Sequence, residues 1–372
     1  MNLTELPTPS LVLDAARVRR NAERIQARVQ SMGARLRPHI KTHKCVQIAR
    51  LQTTARSTAL TVSTLAEARW FAARGFTDLT YAVPVEPGKF AAAIELAREC
   101  ERLTLITDDT EIPAQLDAAA RAEGVRLDVF LKVDCGYHRC GVEPDTPEAF
   151  EIPRRIGDAS HLRFAGILTH AGHSYHSRDA QELQAVAQHE RDLMVEFAAA
   201  LRRENIPVPI VSIGSTPTIS VVDHLEGVDE ARPGNYIFYD AFQATLGSCR
   251  FEDCALTVLA AIVHRDAARR KVVIDAGAIA LSKDRGAIDF DQACGYGRVL
   301  DVDGRDLNLR VGALSQEHGI VEVDDALFER LKVGTRLRIL ANHSCLTAAQ
   351  HPHYNVLEDG RIVDRWHIQR GW

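Results

Sequence analysis

The sequence lacks long apolar runs, clustered positive charge and paired cysteines, and each lack excludes a class of protein. No window approaches the ~18 apolar residues of a membrane-spanning helix, and the opening Met1-Asn2-Leu3-Thr4-Glu5-Leu6-Pro7-Thr8-Pro9 has neither the basic start nor the apolar stretch of a secretory leader. A cytoplasmic protein with no membrane partner is expected. Lys and Arg number 45 against 50 Asp and Glu, a formal charge of -5 over 372 residues, and no basic run offers a footprint for nucleic acid or anionic lipid. The expected partner is a small molecule. The cysteines at 45, 100, 135, 140, 249, 254, 294 and 345 form no Cys-x-x-Cys and imply no disulfide framework. By default they are small buried residues, and only Cys345 stands beside a residue with which it could do chemistry. Disorder and collagen-like repeats are excluded by the balance that remains, 46% hydrophobic and 26% charged with 23 Gly and 14 Pro.

What is present has two textures. From Leu36 to about Leu246, short β-branched or apolar runs alternate with Ala-rich helical stretches, with no internal repeat and no low-complexity linker. Strands are expected at Ala34 to Ile40, Ala59 to Val62, Leu79 to Ala82, Leu103 to Ile106, Leu127 to Val133, Phe164 to Thr169, Ile210 to Ile213, and in a run leading to Arg232-Pro233-Gly234. Amphipathic helices such as Leu65 to Arg74 and Ala180 to Arg203 lie between them. About eight strand–helix units in ~240 residues is the arithmetic of an α/β protein built on a (β/α)8 barrel. After Gly247 the runs Cys254 to His264, Lys271 to Ala280, Gly297 to Asp301, Leu337 to Leu340 and Val356 to Asp364 read as an antiparallel β domain. The expected division is 1–15 as a strand (Ser10 to Asp14) contributed to the β domain, 16–247 as the barrel and 248–372 as the β domain.

Catalytic groups of a parallel barrel sit at the carboxyl ends of its strands. Leu36-Arg37-Pro38-His39-Ile40-Lys41-Thr42-His43-Lys44 puts two lysines, two histidines and an arginine there. A lysine desolvated among cations has a lowered pKa and can form a Schiff base; the plain alternative is a solvated basic loop. Gly214-Ser215-Thr216-Pro217-Thr218 follows an apolar strand and can turn backbone N–H groups and hydroxyls toward an anion, although as a free-standing motif it is a turn. His343 and Cys345 follow another apolar strand two residues apart. On an extended backbone that spacing points both to one face, where imidazole and thiolate can share an ion.

The segment Arg37 to Lys44 resembles the pyridoxal phosphate lysine motif of the D-serine dehydratase and D-threonine aldolase group, which has the alanine racemase fold. The resemblance continues in order through Leu131-Lys132-Val133-Asp134-Cys135-Gly136-Tyr137-His138-Arg139-Cys140-Gly141, Thr169-His170-Ala171-Gly172, Gly214 to Thr218, Arg232-Pro233-Gly234-Asn235-Tyr236 and Asn342-His343-Ser344-Cys345. It implies a barrel that binds pyridoxal 5'-phosphate, with Lys41 as the lysine that holds it and Lys44 as a residue at the next helix start. Ser215 and Thr216 become one half of a phosphate cradle, with Gly234, Asn235 and Tyr236 the other. Arg139 matches an arginine that faces the cofactor's phenolic oxygen or a substrate carboxylate. His170 and Tyr175 look like residues beside the pyridine ring, and Arg232 falls where alanine racemases contact the pyridine nitrogen. His39 and His43 are supporting or loop residues. His343 and Cys345 occupy the family's position for a divalent metal, and one sulfur with one nitrogen favours zinc. Gln316, Glu317 and His318 either line that pocket or form a polar hairpin.

A metal narrows the reaction. Racemisation has no leaving group to activate, and the opposing tyrosine base of a racemase, expected near Asp275 to Lys283, is not found there. A 3-hydroxy amino acid offers its hydroxyl to zinc, either as departing hydroxide or as the alkoxide that drives Cα–Cβ cleavage. The His-x-Cys pair resembles the dehydratases of D-serine and D-threo-3-hydroxyaspartate, whereas the aldolases tend to His-x-Asp. The sequence therefore leads to a zinc-dependent D-3-hydroxy amino acid dehydratase, a homodimer by its fold. A D-threonine or D-3-hydroxyaspartate aldolase is the alternative, and a racemase or a non-catalytic cofactor-binding protein the minor ones.

Overall fold

A computed structural model describes residues 1–54 and 58–372. By their internal contacts they divide into two units, Arg24–Gly234 with Gly371–Trp372, and Met1–Glu23 with Asn235–Arg370. The chain opens with strand β1 (Ser10–Asp14), a strand of the second unit, and the helix Ala15–Ser31 that follows contains the unit boundary.

The first unit is an eight-stranded parallel sheet: β2 (Arg35–Leu36), β3 (Leu60–Val62), β4 (Asp78–Pro84), β5 (Arg102–Thr107), β6 (Leu127–Lys132), β7 (Leu162–Leu168), β8 (Ile210–Ile213) and β9 (Glu230–Ala231), in the order β2-β9-β8-β7-β6-β5-β4-β3. A parallel bridge from His39 to Thr61 joins the two ends of that order, β2 to β3, and closes the expected barrel. Strands covered on both faces are buried along their length rather than on alternate residues. Leu60–Val62 is buried along its length, and so is Leu127–Lys132. The helices supply the outer cover. Ala180–Arg203 is capped by the Asp179 carboxylate and turns Leu183, Ala187, Glu190, Met194, Phe197 and Leu201, three or four residues apart, inward.

One expectation for this unit fails. Arg37 is not a mouth residue: it is 1% exposed, its Nε 2.8 Å from Glu230 and its Nη1 2.8 Å from Asp78. Ser212 donates to the other Glu230 oxygen at 2.8 Å, so one buried ionic cluster ties β2, β4, β8 and β9 together. Burial opposes both charges, yet the opposite partners win: Arg37 is raised and Glu230 is held down at about 2. A residue two places beyond Arg35 on an extended chain points the same way as Arg35, and both guanidinium groups reach Glu230.

The second unit is a nine-stranded sheet made of β1 with β10 (Leu256–Asp266), β11 (Lys271–Ile274), β12 (Arg298–Leu300), β13 (Asp306–Leu314), β14 (Gly319–Glu322), β15 (Arg336–Leu340), β16 (His353–Glu358) and β17 (Arg361–His367). Its order is β11-β14-β13-β12-β15-β10-β1-β16-β17, and β10 also pairs with β11. A register shift between Ile262 and His264 lets the long β10 serve β15 and β1 with one half and β11 with the other, which closes the sheet on itself. The expected strand Lys271 to Ala280 stops at Ile274, and Ala278–Leu281 is a helical turn. The run Val356 to Asp364 is a hairpin, since Asp359 (φ 48°) and Gly360 (φ 75°) form the left-handed pair that a two-residue turn needs. Residues 235–247, placed with the barrel by their sequence, fall in the second unit, where Ala241 and Phe242 donate backbone bonds to Ala341 and Asn342. Among the described residues no helix is long and apolar enough to cross a membrane.

Candidate active site

The barrel unit gathers its chemistry on the turns after its strands. Lys41 lies in the 3-10 turn Ile40–Thr42, with an exposed side chain. Lys44 takes φ 48° just before the cap of the helix Val46–Gln52, and its ammonium is 2.9 Å from the buried Glu67 carboxylate. Lys44 is therefore tied to a structural carboxylate. His43 faces inward, between the Gln52 amide and the backbone N–H of Cys45, and burial pushes it down to about 3. It is a structural histidine.

After β6, Asp134 organises the loop that carries Tyr137 and Arg139. One of its oxygens accepts from the N–H groups of Gly136, Tyr137 and His138 at 2.9, 2.9 and 3.1 Å. These bonds overcome the cost of burial and hold its pKa below the usual carboxylate range. The Arg139 guanidinium lies 5.1 Å from the centre of the Tyr137 ring, Tyr137 meets His170 edge-on at 6.2 Å, and His170 meets Tyr175 at 6.5 Å. A Cβ on Gly172 would sit 2.3 Å from the Tyr137 ring, so the glycine in Thr169-His170-Ala171-Gly172 is what lets this row of side chains stack.

After β8, Ser215 caps the helix Thr216–Val221, and its N–H and hydroxyl engage the Thr218 hydroxyl at 3.0 Å each. Gly214 holds φ +111°, and its N–H donates to the buried Glu190 at 3.1 Å. After β9, Arg232 donates to the carbonyl of Thr169, while its buried Nε finds no protein partner. Gly234 closes on the lysine turn: a Cβ there would be 2.9 Å from the His39 carbonyl and 3.3 Å from the Thr42 hydroxyl.

Electrostatics bind these turns into one place. Burial lowers His39 and His170 well below the usual histidine range, and the charges of Lys41 and Arg232 push both further. Arg139 and Lys132 add to this at His170. Lys132, the last residue of β6, is itself lowered by burial and donates to the Val133 carbonyl at 2.8 Å. Its signal in the sequence is its place in the motif Leu131 to Gly141. Lys41, Lys132, Arg139 and Arg232 thus converge around two neutral imidazoles. Such a set suits an anionic aromatic group, and the unpaired Arg232 Nε and the close glycines at 214 and 234 are features that group would use.

The second unit builds a different site. The apolar strand β15 delivers Asn342 and His343, but the extended-backbone argument for His343 and Cys345 does not hold. His343 is extended (φ -130°, ψ 98°), yet a helix begins at Ser344 and Cys345 lies in its first turn. The two side chains still meet, hydrogen-bonded to each other. His343 Nδ1 is 2.6 Å from Asp284, and Asn235 Nδ2 donates to Cys345 Sγ at 3.4 Å. Burial disfavours a charged imidazole, but the Cys345 thiolate and Asp284 outweigh it and raise His343 well above its ordinary value. An imidazole nitrogen beside a cysteine sulfur, with a carboxylate behind the ring, is a donor set that suits a divalent metal. Among the described residues no group of three or more His, Cys, Asp or Glu is placed to hold a metal ion. Asn235 directs its side chain here, to Asp240, Ser344 and Cys345, and Tyr236 is fully buried beside it in sequence. Gln316, Glu317 and His318 are exposed at the tip of the β13–β14 hairpin, with their backbone packed over Gly277. Asp284 and Asp240 carry no signal in the sequence, because each is separated from its partner by a long stretch of chain.

Known proteins resemble this chain over its whole length. The model of the alanine racemase N-terminal domain matches residues 13–241, and that of a putative serine dehydratase domain matches residues 255–357. D-threo-3-hydroxyaspartate dehydratase of Delftia sp. (strain HT23) is 41% identical over 100% of this chain and 99% of its own. D-serine dehydratase of Dictyostelium discoideum is 35% identical over 100% and 98%. A solved mutant of D-threo-3-hydroxyaspartate dehydratase in the metal-free form superposes with a TM-score of 0.96 at 40% identity, covering 100% of both chains. A cationic site after the barrel strands, a histidine–thiolate pair on the antiparallel unit and this full-length similarity place the chain in the family that joins an alanine racemase N-terminal domain to a serine dehydratase domain.

Proposed function

We propose that the protein is a lyase dependent on pyridoxal 5'-phosphate and zinc that removes water from D-threo-3-hydroxyaspartate or D-serine, yielding a 2-oxo acid and ammonia. The observation that carries this reading is the His343–Cys345 pair backed by Asp284, a soft nitrogen–sulfur donor set with a carboxylate behind it. Two protein ligands leave coordination positions for water and a substrate hydroxyl, as a catalytic ion requires and a structural one does not. When bound, the cofactor supplies an electron sink and the ion a Lewis acid for the departing hydroxyl.

The chain's own groups have separate tasks. Lys41 offers the amine that holds the cofactor, on a turn fixed against Gly234. The turn at Gly214, Ser215 and Thr216, with Gly234, takes the phosphate. Arg139 faces a carboxylate or phenolate oxygen, and Arg232 keeps positive charge beside the ring. His170 and Tyr175 flank the ring, and because His39 and His170 stay neutral they can accept or donate a hydrogen bond there without adding charge. The active species is a cytoplasmic homodimer, and light scattering on the active enzyme tests that state; an active monomer would contradict it.

The deciding assay offers D-serine, D-threonine and both D-3-hydroxyaspartates and identifies the products. Ammonia with a 2-oxo acid from D-serine or D-threo-3-hydroxyaspartate is expected. Glycine with an aldehyde as the main products would make the protein an aldolase instead.

A further inference from the structure

Two carboxylates stand behind the histidine–thiolate pair, one for each member. Asp284 Oδ2 is 2.6 Å from His343 Nδ1, and its Oδ1 accepts from the Gly286 N–H at 2.8 Å. The Asp284 N–H donates to Ser282 Oγ at 3.0 Å, in a turn where Ser282 holds φ 72°. That turn is registered on the helix Ser344–Gln350, because Thr347 Oγ1 donates to the Leu281 carbonyl at 2.8 Å and His351 Nε2 lies 3.0 Å from the Ala280 carbonyl. Imidazole and carboxylate are thus fixed to each other twice over.

Asp240 does the corresponding work for the sulfur. Its Oδ2 accepts from the Ser344 N–H at 2.9 Å, the Ser344 hydroxyl at 3.1 Å and Asn235 Nδ2 at 2.7 Å, while its Oδ1 accepts from the Gln243 N–H at 2.9 Å. The same Asn235 Nδ2 reaches Cys345 Sγ at 3.4 Å. The start of the helix that carries Cys345, and the amide that touches its sulfur, both hang on one carboxylate that is 1% exposed.

We propose that Asp284 and Asp240 are positioning residues for the metal, Asp284 acting through His343 and Asp240 acting through Ser344 and Asn235 on Cys345. The inference rests on the metal reading of that pair. A carboxylate can only accept, so Nδ1 is the protonated nitrogen and Nε2 keeps its lone pair for the ion. The charge behind the ring makes that nitrogen a stronger donor, and partners of this kind ordinarily contribute about 10- to 100-fold to metal affinity. The amide bond to sulfur stabilises the thiolate and fixes the direction from which it binds.

The test measures zinc affinity of the holoenzyme by competition with a chromogenic chelator, the sulfur-to-metal charge-transfer band of the cobalt-substituted protein, and the thermal midpoint. Asp284→Ala is expected to weaken zinc about 10- to 100-fold and to keep the cobalt–thiolate band, with a smaller loss in Asp284→Asn, whose amide oxygen still accepts from Nδ1. Asp240→Asn is expected to shift that band as well as lower affinity. A merely structural role would lower the midpoint and leave affinity and band unchanged in the folded protein, and that result overturns the proposal. Should Asp284→Ala fail to fold, Asp284→Asn decides by the same criterion. His343→Ala and Cys345→Ala separate the two levels of inference. If both keep zinc at full affinity, the metal reading falls and takes this one with it; if they lose zinc while the aspartate variants do not, only the positioning role falls.

Discussion

The two units treat the same side chain in opposite ways. In the barrel unit, burial and the charges of Lys41 and Arg232 drive His39 and His170 down, so both rings are neutral. In the antiparallel unit, burial also opposes charge on His343, but Cys345 and Asp284 reverse the balance and drive it up. What surrounds an imidazole decides its state. A cluster of cations that keeps its histidines neutral is built to receive an anion, and a thiolate with carboxylates behind it is built to receive a cation. The proposed anionic cofactor and the proposed metal therefore fall to different units, and each proposal can be attacked separately.

The largest expected effect falls on the barrel. Lys41→Ala should abolish both the visible absorbance of bound cofactor and turnover, and borohydride treatment should trap no cofactor on the remaining chain. Trapping on Lys44 in that variant would show that the wrong lysine has been chosen, although the Lys44 ion pair with Glu67 argues against it.

A smaller but still severe change is expected at Arg37→Met. It strands the buried Glu230 without its main partner, and breaking a pair of this kind costs about 3–5 kcal/mol of unfolding free energy by urea denaturation. Equal stability would mean that the ionic cluster is dispensable.

Much of the architecture is legible in the amino-acid sequence. Most of the barrel strands stand out as apolar runs because a parallel strand covered on both faces has no polar side to hide its signal, whereas β2 (Arg35–Leu36) and β9 (Glu230–Ala231) are short and half charged. The antiparallel unit is harder to see. Strand β13 is mostly exposed or half-buried, and the polar–apolar alternation of the short run Asp306-Leu307-Asn308-Leu309-Arg310 is its sequence signal. The proposed site residues carried on short motifs are reached by resemblance. Those defined only by three-dimensional pairing are not: Asp284 lies 59 positions from His343 and Asp240 lies 104 from Ser344. Arg37 misleads because a basic residue within a basic segment looks solvated until its carboxylates, far along the chain, are in view.

The phosphate turn offers a subtler test. At Gly214 the backbone holds φ +111°, and an added Cβ would lie 2.9 Å from the Ile219 side chain. Gly214→Ala should therefore cost about 1–2 kcal/mol of local strain and weaken cofactor retention about tenfold, measured by dialysis against free cofactor. Unchanged retention would remove this turn from the phosphate site. The mildest perturbation is acid. His43 is buried and neutral with its pKa at about 3, so the unfolded chain binds a proton that the folded chain does not once pH falls below about 6.5. Stability present above that pH is lost on acidification at about 1.4 kcal/mol per pH unit for such a histidine, down to about pH 3. Glu230, held at about 2, adds a further loss below about pH 4.5. Urea midpoints at pH 7, 6 and 5 should fall in that order, and a flat profile would contradict the buried neutral state.

The division of labour between the units is tested most directly by stripping the metal from the holoenzyme with a chelator and following two signals in the same sample. The account predicts that the yellow absorbance of the cofactor persists, because Lys41 and the phosphate turn lie in the barrel unit. It also predicts that 2-oxo acid and ammonia cease to form from D-threo-3-hydroxyaspartate or D-serine, and return on adding zinc. Undiminished dehydration by metal-free protein would contradict it, and so would loss of the cofactor together with the metal.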